Sequence, residues 1–523
     1  MQIYSFSPFG YEGSLVTVEV DLRRGIPAID LVGLADGAVK EARERMQAAI
    51  RNSGFDFPPE RILISLSPAD LKKEGAGFDL PIALGVLAAK SKSEETPDTL
   101  DFPVLIMGEL ELSGKVRPVR GVHAAAATAA SAGIMHCIVP TQNADEAREV
   151  AGMKVFGAEN LQEAFEALSN PEVFTEHKTV ISDKKNEIPE GFELCNEVLF
   201  KKSNPDLDFA QVKGQQKLVR ALQIAAAGGH NFIAVGAPGC GKTMCIQRIS
   251  ELLPALTLEE AQPVTRILSL AGLLSSKEPL VRLPQVRMPH QTASIEGICG
   301  GGVNCRPGEI SLAHNGVLFL DEAAEFRSSV LQMLRVPLES KSITISRAGR
   351  STVFPANFQL MMAANPCPCG NYGSDSKICL CSARSIELYW KKFSGPLLDR
   401  IDIRVFVKNE NTTAEDRDKT FSTRELRKEI ANAVLAQRKR QGKKNASLTP
   451  SEISDYCICT SEAKKYLDDF SKQNEFSPRA IASCLKTART IADMAMSEKI
   501  ELAHMTEAVA LRKPFADFMN LDI

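Results

Sequence analysis

Residues 236–243 read GAPGCGKT and match the pattern G-x-x-x-x-G-K-[ST]. They follow the apolar run FIAV and precede a stretch with helical period, which is the context that a phosphate-binding loop requires. In such a loop, backbone N–H groups close around phosphates, the lysine reaches the terminal phosphates and the hydroxyl ligates Mg²⁺. The sequence therefore predicts a site for ATP and Mg²⁺. The predicted contacts are Gly236, Gly239, Cys240, Gly241, Lys242, Thr243 and, upstream, Gln215.

A second motif, GVLFLDEAAEF, follows about eighty residues later. The apolar run VLFL predicts a buried strand that ends at Asp321 and Glu322. A carboxylate at this place can help to hold Mg²⁺, and the next one can orient an attacking water. An acidic strand end is weak evidence alone, but its pairing with a phosphate loop is typical of nucleotide hydrolases.

Four of the 13 cysteines lie close together as Cys367, Cys369, Cys379 and Cys381. Two C-x-C pairs separated by nine residues supply four thiolates, a donor set that fits tetrahedral Zn²⁺. Unligated thiols and a redox switch are the alternatives. A metal here would stabilise a short loop that has little core of its own.

The composition is that of a globular protein, with 44% hydrophobic and 24% charged residues among 523. A net charge of -3 gives no general basic excess, so DNA binding would need local basic patches. The first residues, MQIYSFSPFG, lack the charged and apolar regions of a secretory signal, and no run of apolar residues is long enough for a membrane span. We expect a cytoplasmic protein without a membrane partner.

Two polar, turn-rich stretches divide the chain. They predict an N-terminal domain at 1–175, a linker at 176–205, a central domain at 206–408, a second linker at 409–424 and a helical C-terminal domain at 425–523. The fold class predicted for the whole chain is α/β multidomain.

Four segments, GHNFIAVGAPGCGKT, PGEISLAHNGVLFLDE, NPCPCG and SGPLLDRIDI, resemble the YifB/ComM-type magnesium-chelatase-like AAA+ ATPases. The resemblance implies a central AAA+ domain and a C-terminal α-helical lid. It also implies that Asn365 senses the terminal phosphate, that Arg400 acts on the nucleotide of a neighbouring subunit, and that Arg479 is a second sensor. A trans-acting arginine requires a ring, so a homohexamer is implied. Surface ion pairs are the alternative for both arginines.

The segments ITIS and STVF flank RAGR and predict a β-hairpin with Arg347 and Arg350 near its end. In the family this hairpin projects into the central pore, which implies that the two arginines contact DNA phosphates. A solvated hairpin without a ligand is the alternative. Nearby, His290 is followed by Gln291, where family members commonly have a second histidine.

The N-terminal region resembles the Lon-protease-like fold, which is the ribosomal protein S5 domain 2-like type of α+β domain. Proteases of that fold use a serine and a lysine. Here the segment expected to hold the serine reads KEGAGFD, without a hydroxyl residue, and His123 stands where the lysine is expected. We therefore expect no peptidase activity and a structural role for His123.

Taken together, the resemblance implies an ATP-dependent, ring-forming DNA motor. Its implied task is helicase-driven branch migration during homologous recombination in natural transformation. The implied partners are single-stranded and branched DNA, with recombination proteins as further candidates. A chelatase-type motor acting on a partner protein is the first alternative. A Lon-like ATP-dependent protease is the second, disfavoured by the missing dyad.

Overall fold

The computed structural model describes residues 3–34, 36–69, 71, 73, 75–93, 102–176, 188–302, 305–347, 350–373, 377–407 and 420–512. These residues form two regions in which helices pack on a β-sheet, followed by a group of helices. This agrees with the predicted α/β multidomain class.

The N-terminal domain is built on a mixed sheet with strand order β10-β9-β8-β5-β1-β2-β4-β3 among the residues described. Its strands are β1 (Ile3–Ser7), β2 (Ser14–Arg23), β3 (Ile29–Val32), β4 (Arg61–Ser67), β5 (Val104–Ile106), β6 (Glu109–Leu110), β7 (Val116–Arg117), β8 (His136–Pro140), β9 (Lys154–Ala158) and β10 (Thr175–Glu176). Its helices are α1 (Gly37–Asn52), α2 (Asp79–Ser93), α3 (Val122–Ser131), α4 (Ala144–Arg148) and α5 (Leu161–Ala167). The helices bury the apolar faces of the sheet in two hydrophobic clusters.

Part of the predicted first linker is a hairpin. Strands β11 (Phe192–Cys195) and β12 (Val198–Lys201) pair in antiparallel register. The turn places Asn196 and Glu197 at positive φ, and Phe200 is fully buried against the central domain. Residues 177–187 of this linker lie outside the described part of the chain, as do residues 409–419 of the second linker.

The central domain has a parallel sheet with the order β14-β17-β20-β13-β21 in the described residues. Its strands and hairpins are β13 (Phe232–Gly236), β14 (Val286–Arg287), β15 (Gly300–Gly301), β16 (Arg306–Pro307), β17 (Val317–Leu320), β18 (Ser342–Arg347), β19 (Arg350–Pro355), β20 (Gln359–Ala364) and β21 (Ile403–Val407). Its helices are α6 (Gln216–Gly228), α7 (Lys242–Gln247), α8 (Leu258–Ala271), α9 (Ile295–Cys299), α10 (Glu309–Leu312), α11 (Ser328–Met333), α12 (Arg335–Ser340), α13 (Ala383–Lys391) and α14 (Gly395–Leu398).

Strands β13, β17 and β20 are buried at every position. Helices cover both faces of a parallel sheet, so its strands carry continuous apolar runs instead of alternating ones. This explains the runs FIAV and VLFL. Because parallel strands end at the same edge, the residues that follow these three strands are brought together.

The C-terminal domain consists of helices α15 (Thr423–Gln441), α16 (Pro450–Tyr456), α17 (Ser461–Gln473), α18 (Pro478–Met494) and α19 (Leu502–Ala510). Capping boxes that start at Ser422 and Thr449 begin α15 and α16. The apolar faces of the helices share one hydrophobic cluster with the central sheet. His230, just before β13, also lies 2.8 Å from the Thr490 hydroxyl of α18, so this domain packs directly on the central domain at the start of β13.

Candidate nucleotide site

The phosphate-binding loop connects β13 to α7, as predicted. Gly241 caps α7 with a φ of 82°, a left-handed conformation that favours glycine. Gly236 lies so close to β21 that an added Cβ would be 2.3 Å from the Val407 carbonyl oxygen. Glycine is therefore needed at the two positions for different reasons: Gly241 permits the turn, and Gly236 permits close packing of neighbouring strands.

Lys242 is buried and turned into the loop. Its ammonium donates hydrogen bonds to the carbonyl oxygens of Gly236, at 2.6 Å, and Ala237, at 2.8 Å. The side-chain amide of Gln215 donates to the Cys240 carbonyl at 3.2 Å, so this upstream residue contacts the loop backbone. The positive charge is thus held beside the backbone N–H groups that start α7, an arrangement suited to phosphate.

Thr243 and Asp321 come together at the end of the sheet. The Thr243 hydroxyl donates to Asp321 Oδ1 at 3.0 Å, although the two residues are 78 positions apart. A hydroxyl and a carboxylate are oxygen donors of the kind that Mg²⁺ prefers. These two residues fit the predicted magnesium site, and Thr243 directly follows Lys242 in the chain.

Glu322 occupies a strained and exposed position. Its φ of 47° and ψ of 47° are left-handed, and the following residues, Ala323–Glu325, form a 3₁₀ turn. Its N–H donates to Asp321 Oδ1 at 3.0 Å. The Gln291 amide is 3.4 Å from Glu322 Oε2, a long hydrogen bond. Sequence reasoning noted Gln291 but not this contact.

Asn365 directly follows β20, the strand between β13 and β17. Its backbone hydrogen-bonds to the Tyr389 phenol, whose pKa is raised by burial. Gly370 lies against the phosphate loop, because an added Cβ would be 2.6 Å from Pro238 Cδ and 3.9 Å from Asn365 Cγ. The structure therefore places Asn365 and the cysteine segment beside the phosphate loop.

The four cysteines form one cluster. Their Sγ atoms all lie within 4.8 Å of one another. The Cys367–Cys369, Cys369–Cys379 and Cys367–Cys379 separations are 3.4, 3.6 and 3.7 Å. With a Zn–S bond of about 2.3 Å, a tetrahedral site has sulfur atoms ~3.8 Å apart. The Tyr372 N–H also points to Cys367 Sγ at 3.4 Å, a typical outer contact of a metal thiolate. The donor set and its spacing fit Zn²⁺.

Arg400 and Arg479 both bind the carboxylate of Glu339, a residue that no sequence motif indicates. Glu339, at the end of α12, accepts from Arg400 Nη2 at 2.5 Å and from Arg479 Nη2 at 2.8 Å. The hydrogen bond from Arg400 lowers the pKa of Glu339. Arg479 also pairs with Asp399 at 3.8 Å. The two predicted arginines are therefore neighbours, and within this chain each makes an ion pair.

The predicted hairpin is formed by β18 and β19, which pair in antiparallel register as far as Arg347 opposite Arg350. The side chains of these two arginines lie outside the described residues. Their contact with DNA stays a prediction.

His123 is fully buried in the N-terminal domain at the start of α3. Its Nε2 is 2.8 Å from the Gln262 side-chain oxygen of α8, and burial lowers its pKa to about 4. The imidazole joins the two domains and is neutral at physiological pH, which agrees with a structural role.

Comparison with known proteins gives the family. Residues 208–415 match the family described as magnesium chelatase, subunit ChlI, residues 18–143 match subunit ChlI of Mg-chelatase, and residues 420–512 match its C-terminal family. The chain therefore belongs to the magnesium-chelatase-like proteins of the YifB/ComM type. The resemblance deduced from the four sequence segments is confirmed.

Individual relatives cover nearly the whole chain. The chain is 38% identical to "Uncharacterized protein YifB" of Salmonella typhimurium over 513 residues, 98% of this chain and 96% of the relative. It is also 38% identical to "Competence protein ComM" of Haemophilus influenzae over 519 residues, 98% of this chain and 97% of the relative. "Magnesium-chelatase subunit ChlI" of Trieres chinensis is 27% identical over 199 residues, 33% of this chain and 56% of the relative. Within the described residues, no helix has the length and apolar character of a membrane span.

Proposed function

We propose that this protein is an AAA+ ATP hydrolase that uses hydrolysis to move DNA strands. The observation that carries the proposal is the meeting of the Thr243 hydroxyl and the Asp321 carboxylate at 3.0 Å, directly after Lys242, whose buried ammonium is bound within the same loop. A hydroxyl, a carboxylate and an ammonium at the ends of parallel strands are what binding of MgATP requires. The family match supports this proposal.

The chain's own residues have separable tasks in that reaction. Lys242 binds phosphate oxygens, and Thr243 and Asp321 would hold Mg²⁺, which neutralises phosphate charge when bound. Glu322 is exposed at the same edge, so its carboxylate can accept a hydrogen bond from a water and orient it. Asn365 supplies a polar side chain at the end of the neighbouring strand.

We propose that the active form is a homohexamer in which Arg400 serves the nucleotide of a neighbouring subunit. In the single chain, Arg400 is bound to Glu339 and to the Pro396 carbonyl oxygen. The side chain of Glu339 is 58% exposed and that of Arg400 is 13% exposed, so Arg400 has to leave this ion pair and turn outward to reach the phosphates of a neighbouring subunit.

The DNA part of the proposal is supported by the full-length similarity to a protein named for competence and by the β18–β19 hairpin. We propose that the motor promotes branch migration on single-stranded and branched DNA during natural transformation, with recombination proteins as further partners. The alternative of a chelatase-type motor that acts on a partner protein is supported by the 27% identity to a ChlI subunit. We further propose that the cysteine cluster holds one structural Zn²⁺, on the evidence of its sulfur separations.

Variants of the site test hydrolysis. Lys242→Ala should weaken nucleotide binding, because it removes the phosphate contact. Glu322→Gln should bind ATP with normal affinity but lose turnover, because only the water-orienting carboxylate is changed. Glu325→Gln, a nearby exposed glutamate, is the matched control and should keep turnover. Normal steady-state hydrolysis by Glu322→Gln contradicts the assignment.

A second experiment tests the substrate. ATP turnover is measured with and without single-stranded DNA, and strand displacement is followed on a three-stranded junction. DNA-stimulated turnover and ATP-dependent displacement are expected. ATP turnover that is the same with and without DNA contradicts the DNA proposal and favours the chelatase-type alternative.

A further inference from the structure

The loop between β1 and β2, residues 9–13, reaches from the N-terminal domain onto strand β19 of the β18–β19 hairpin. The Tyr11 N–H donates to the Thr352 hydroxyl at 3.0 Å. The Tyr11 ring packs edge-on against Phe354, with centroids 5.9 Å apart. Thr352 and Phe354 are both buried and belong to β19. The loop is therefore bound to the strand that also carries Arg350.

Arg266 of α8 holds the same loop from the central domain. Its Nε donates to the Tyr11 carbonyl and its Nη2 to the Glu12 carbonyl, both at 3.0 Å. The guanidinium carbon lies 4.7 Å from the centroid of the Tyr11 ring, within range of a cation–π contact. The loop thus bridges a core helix and the hairpin strand.

The 9–13 loop and strand β19 pack so closely that Gly10 has no room for a side chain. Gly10 has a φ of 61°, and an added Cβ would lie 2.1 Å from Thr352 Oγ1. Across the hairpin, Thr352 pairs with Ile345. An added Cβ on Gly300 would be 2.7 Å from Ile345 Cδ1. Because both strands of the hairpin are in tight contact at the Ile345–Thr352 pair, a shift of β19 must either break the hydrogen bond to Tyr11 or carry the loop with it.

We propose that the 9–13 loop is a positioning element for the β18–β19 hairpin, and that through it the N-terminal domain responds to DNA held by the hairpin. The DNA half of this inference rests on the proposed function. The mechanical half, that the loop fixes the hairpin, rests on the contacts of Tyr11 and Gly10 alone.

Thr352→Val tests the coupling, because valine keeps the shape of threonine and removes the acceptor for the Tyr11 N–H. Amide hydrogen exchange in residues 9–13 and in β19 should become about fivefold faster, the effect expected from the loss of one hydrogen bond. ATP turnover without DNA should stay within about twofold of the wild type, whereas its stimulation by DNA should fall. Thr344→Val is the matched control, since Thr344 is exposed on β18, and should change neither quantity.

Gly10→Ala is a second variant that forces the loop off Thr352 by steric clash, and it should reproduce both effects. Unchanged exchange of β19 in Thr352→Val and Gly10→Ala overturns the mechanical half. DNA stimulation equal to that of the wild type in both variants, with faster exchange, overturns the DNA half. If ATP turnover of the wild-type protein does not change when DNA is added, the proposed function is wrong. Hydrogen exchange of β19 still tests the loop contact in that case, so the two failures can be told apart.

Discussion

Replacing Cys369 or Cys381 by serine should release a metal ion and slow ATP turnover without abolishing nucleotide binding. Three sulfur separations in the cluster, 3.4 to 3.7 Å, are within about 0.4 Å of the ~3.8 Å edge of a zinc tetrathiolate. Structural Zn²⁺ contributes on the order of 10–16 kcal/mol in small peptides that fold around it. Loss of one thiolate leaves a three-ligand site that is open to water and chelators.

The effect on turnover follows from the position of the loop. Gly370, inside the cysteine segment, lies against Pro238 of the phosphate loop. Trp390 of α13 donates through its indole N–H to the Pro366 carbonyl at 3.0 Å, which ties the other side of the segment to the helix. A segment that loses its metal should shift Asn365, whereas Lys242 is held by its own strand and helix. We therefore expect a loss of turnover with nucleotide affinity nearly unchanged.

Elemental analysis of untagged protein, purified without chelator, provides the measurement. We expect about one zinc per chain in the wild type and in Cys195→Ser, a control cysteine that lies outside the cluster. Both cluster variants should be nearly metal-free after brief exposure to a chelator. Metal-free wild-type protein with full ATP turnover would refute the reasoning and leave the cluster as four thiols.

Three further outcomes are expected. Arg400→Ala should lower ATP turnover by roughly 10³- to 10⁵-fold while ATP still binds. Mixing this variant with Lys242→Ala protein should restore part of the activity. If rings shown to contain both variants recover no activity, Arg400 does not act in trans. Arg347→Ala combined with Arg350→Ala should weaken DNA binding on all sequences and flatten its salt dependence; an unchanged slope of affinity against salt places the DNA contact elsewhere. Burial raises the pKa of Asp402, but the neighbouring His230, whose Nδ1 lies 3.6 Å from the carboxylate, and a hydrogen bond from Ser483 outweigh it and hold that pKa at about 2. The ionised carboxylate should therefore contribute about 2 kcal/mol above pH 4 that is lost as the pH falls through 2. Acid unfolding of Asp402→Asn with the same pH dependence as that of the wild type contradicts this.

The residues of the candidate nucleotide site could be singled out because their signals are local. A phosphate loop needs glycine where φ is positive or strands approach closely, and a buried parallel strand needs an apolar run. Both requirements appear within about ten residues, in GAPGCGKT and in VLFLDE. The meeting of Thr243 with Asp321 then follows from the parallel sheet. The cysteine cluster was predictable for the same reason, since C-x-C pairs are visible in the sequence itself.

Other features depend on contacts between distant residues, and no local pattern indicates them. Glu339 ends an ordinary short helix, and only the fold brings Arg479 to it from 140 positions away. The contact between Tyr11 and Thr352 joins residues 341 positions apart. The β11–β12 hairpin was hidden in the first predicted linker, because its strands are only four residues long and its turn is Asn-Glu instead of the usual Asn-Gly.

Several of the predicted functional elements follow one another along a single stretch of the chain. Residues 350–381 run from Arg350 through β19 and β20 to Asn365 and then into the cysteine cluster. Strand β20 is hydrogen-bonded to β17 on one side and to β13 on the other, and these strands carry Asp321 and the phosphate loop. Because β20 is buried at every position and paired on both sides, a displacement of this strand would disturb its packing against both neighbours. The chain therefore runs directly from the hairpin strand β19 to the groups that would surround the terminal phosphate, and Tyr11 contacts this segment near its start, at Thr352.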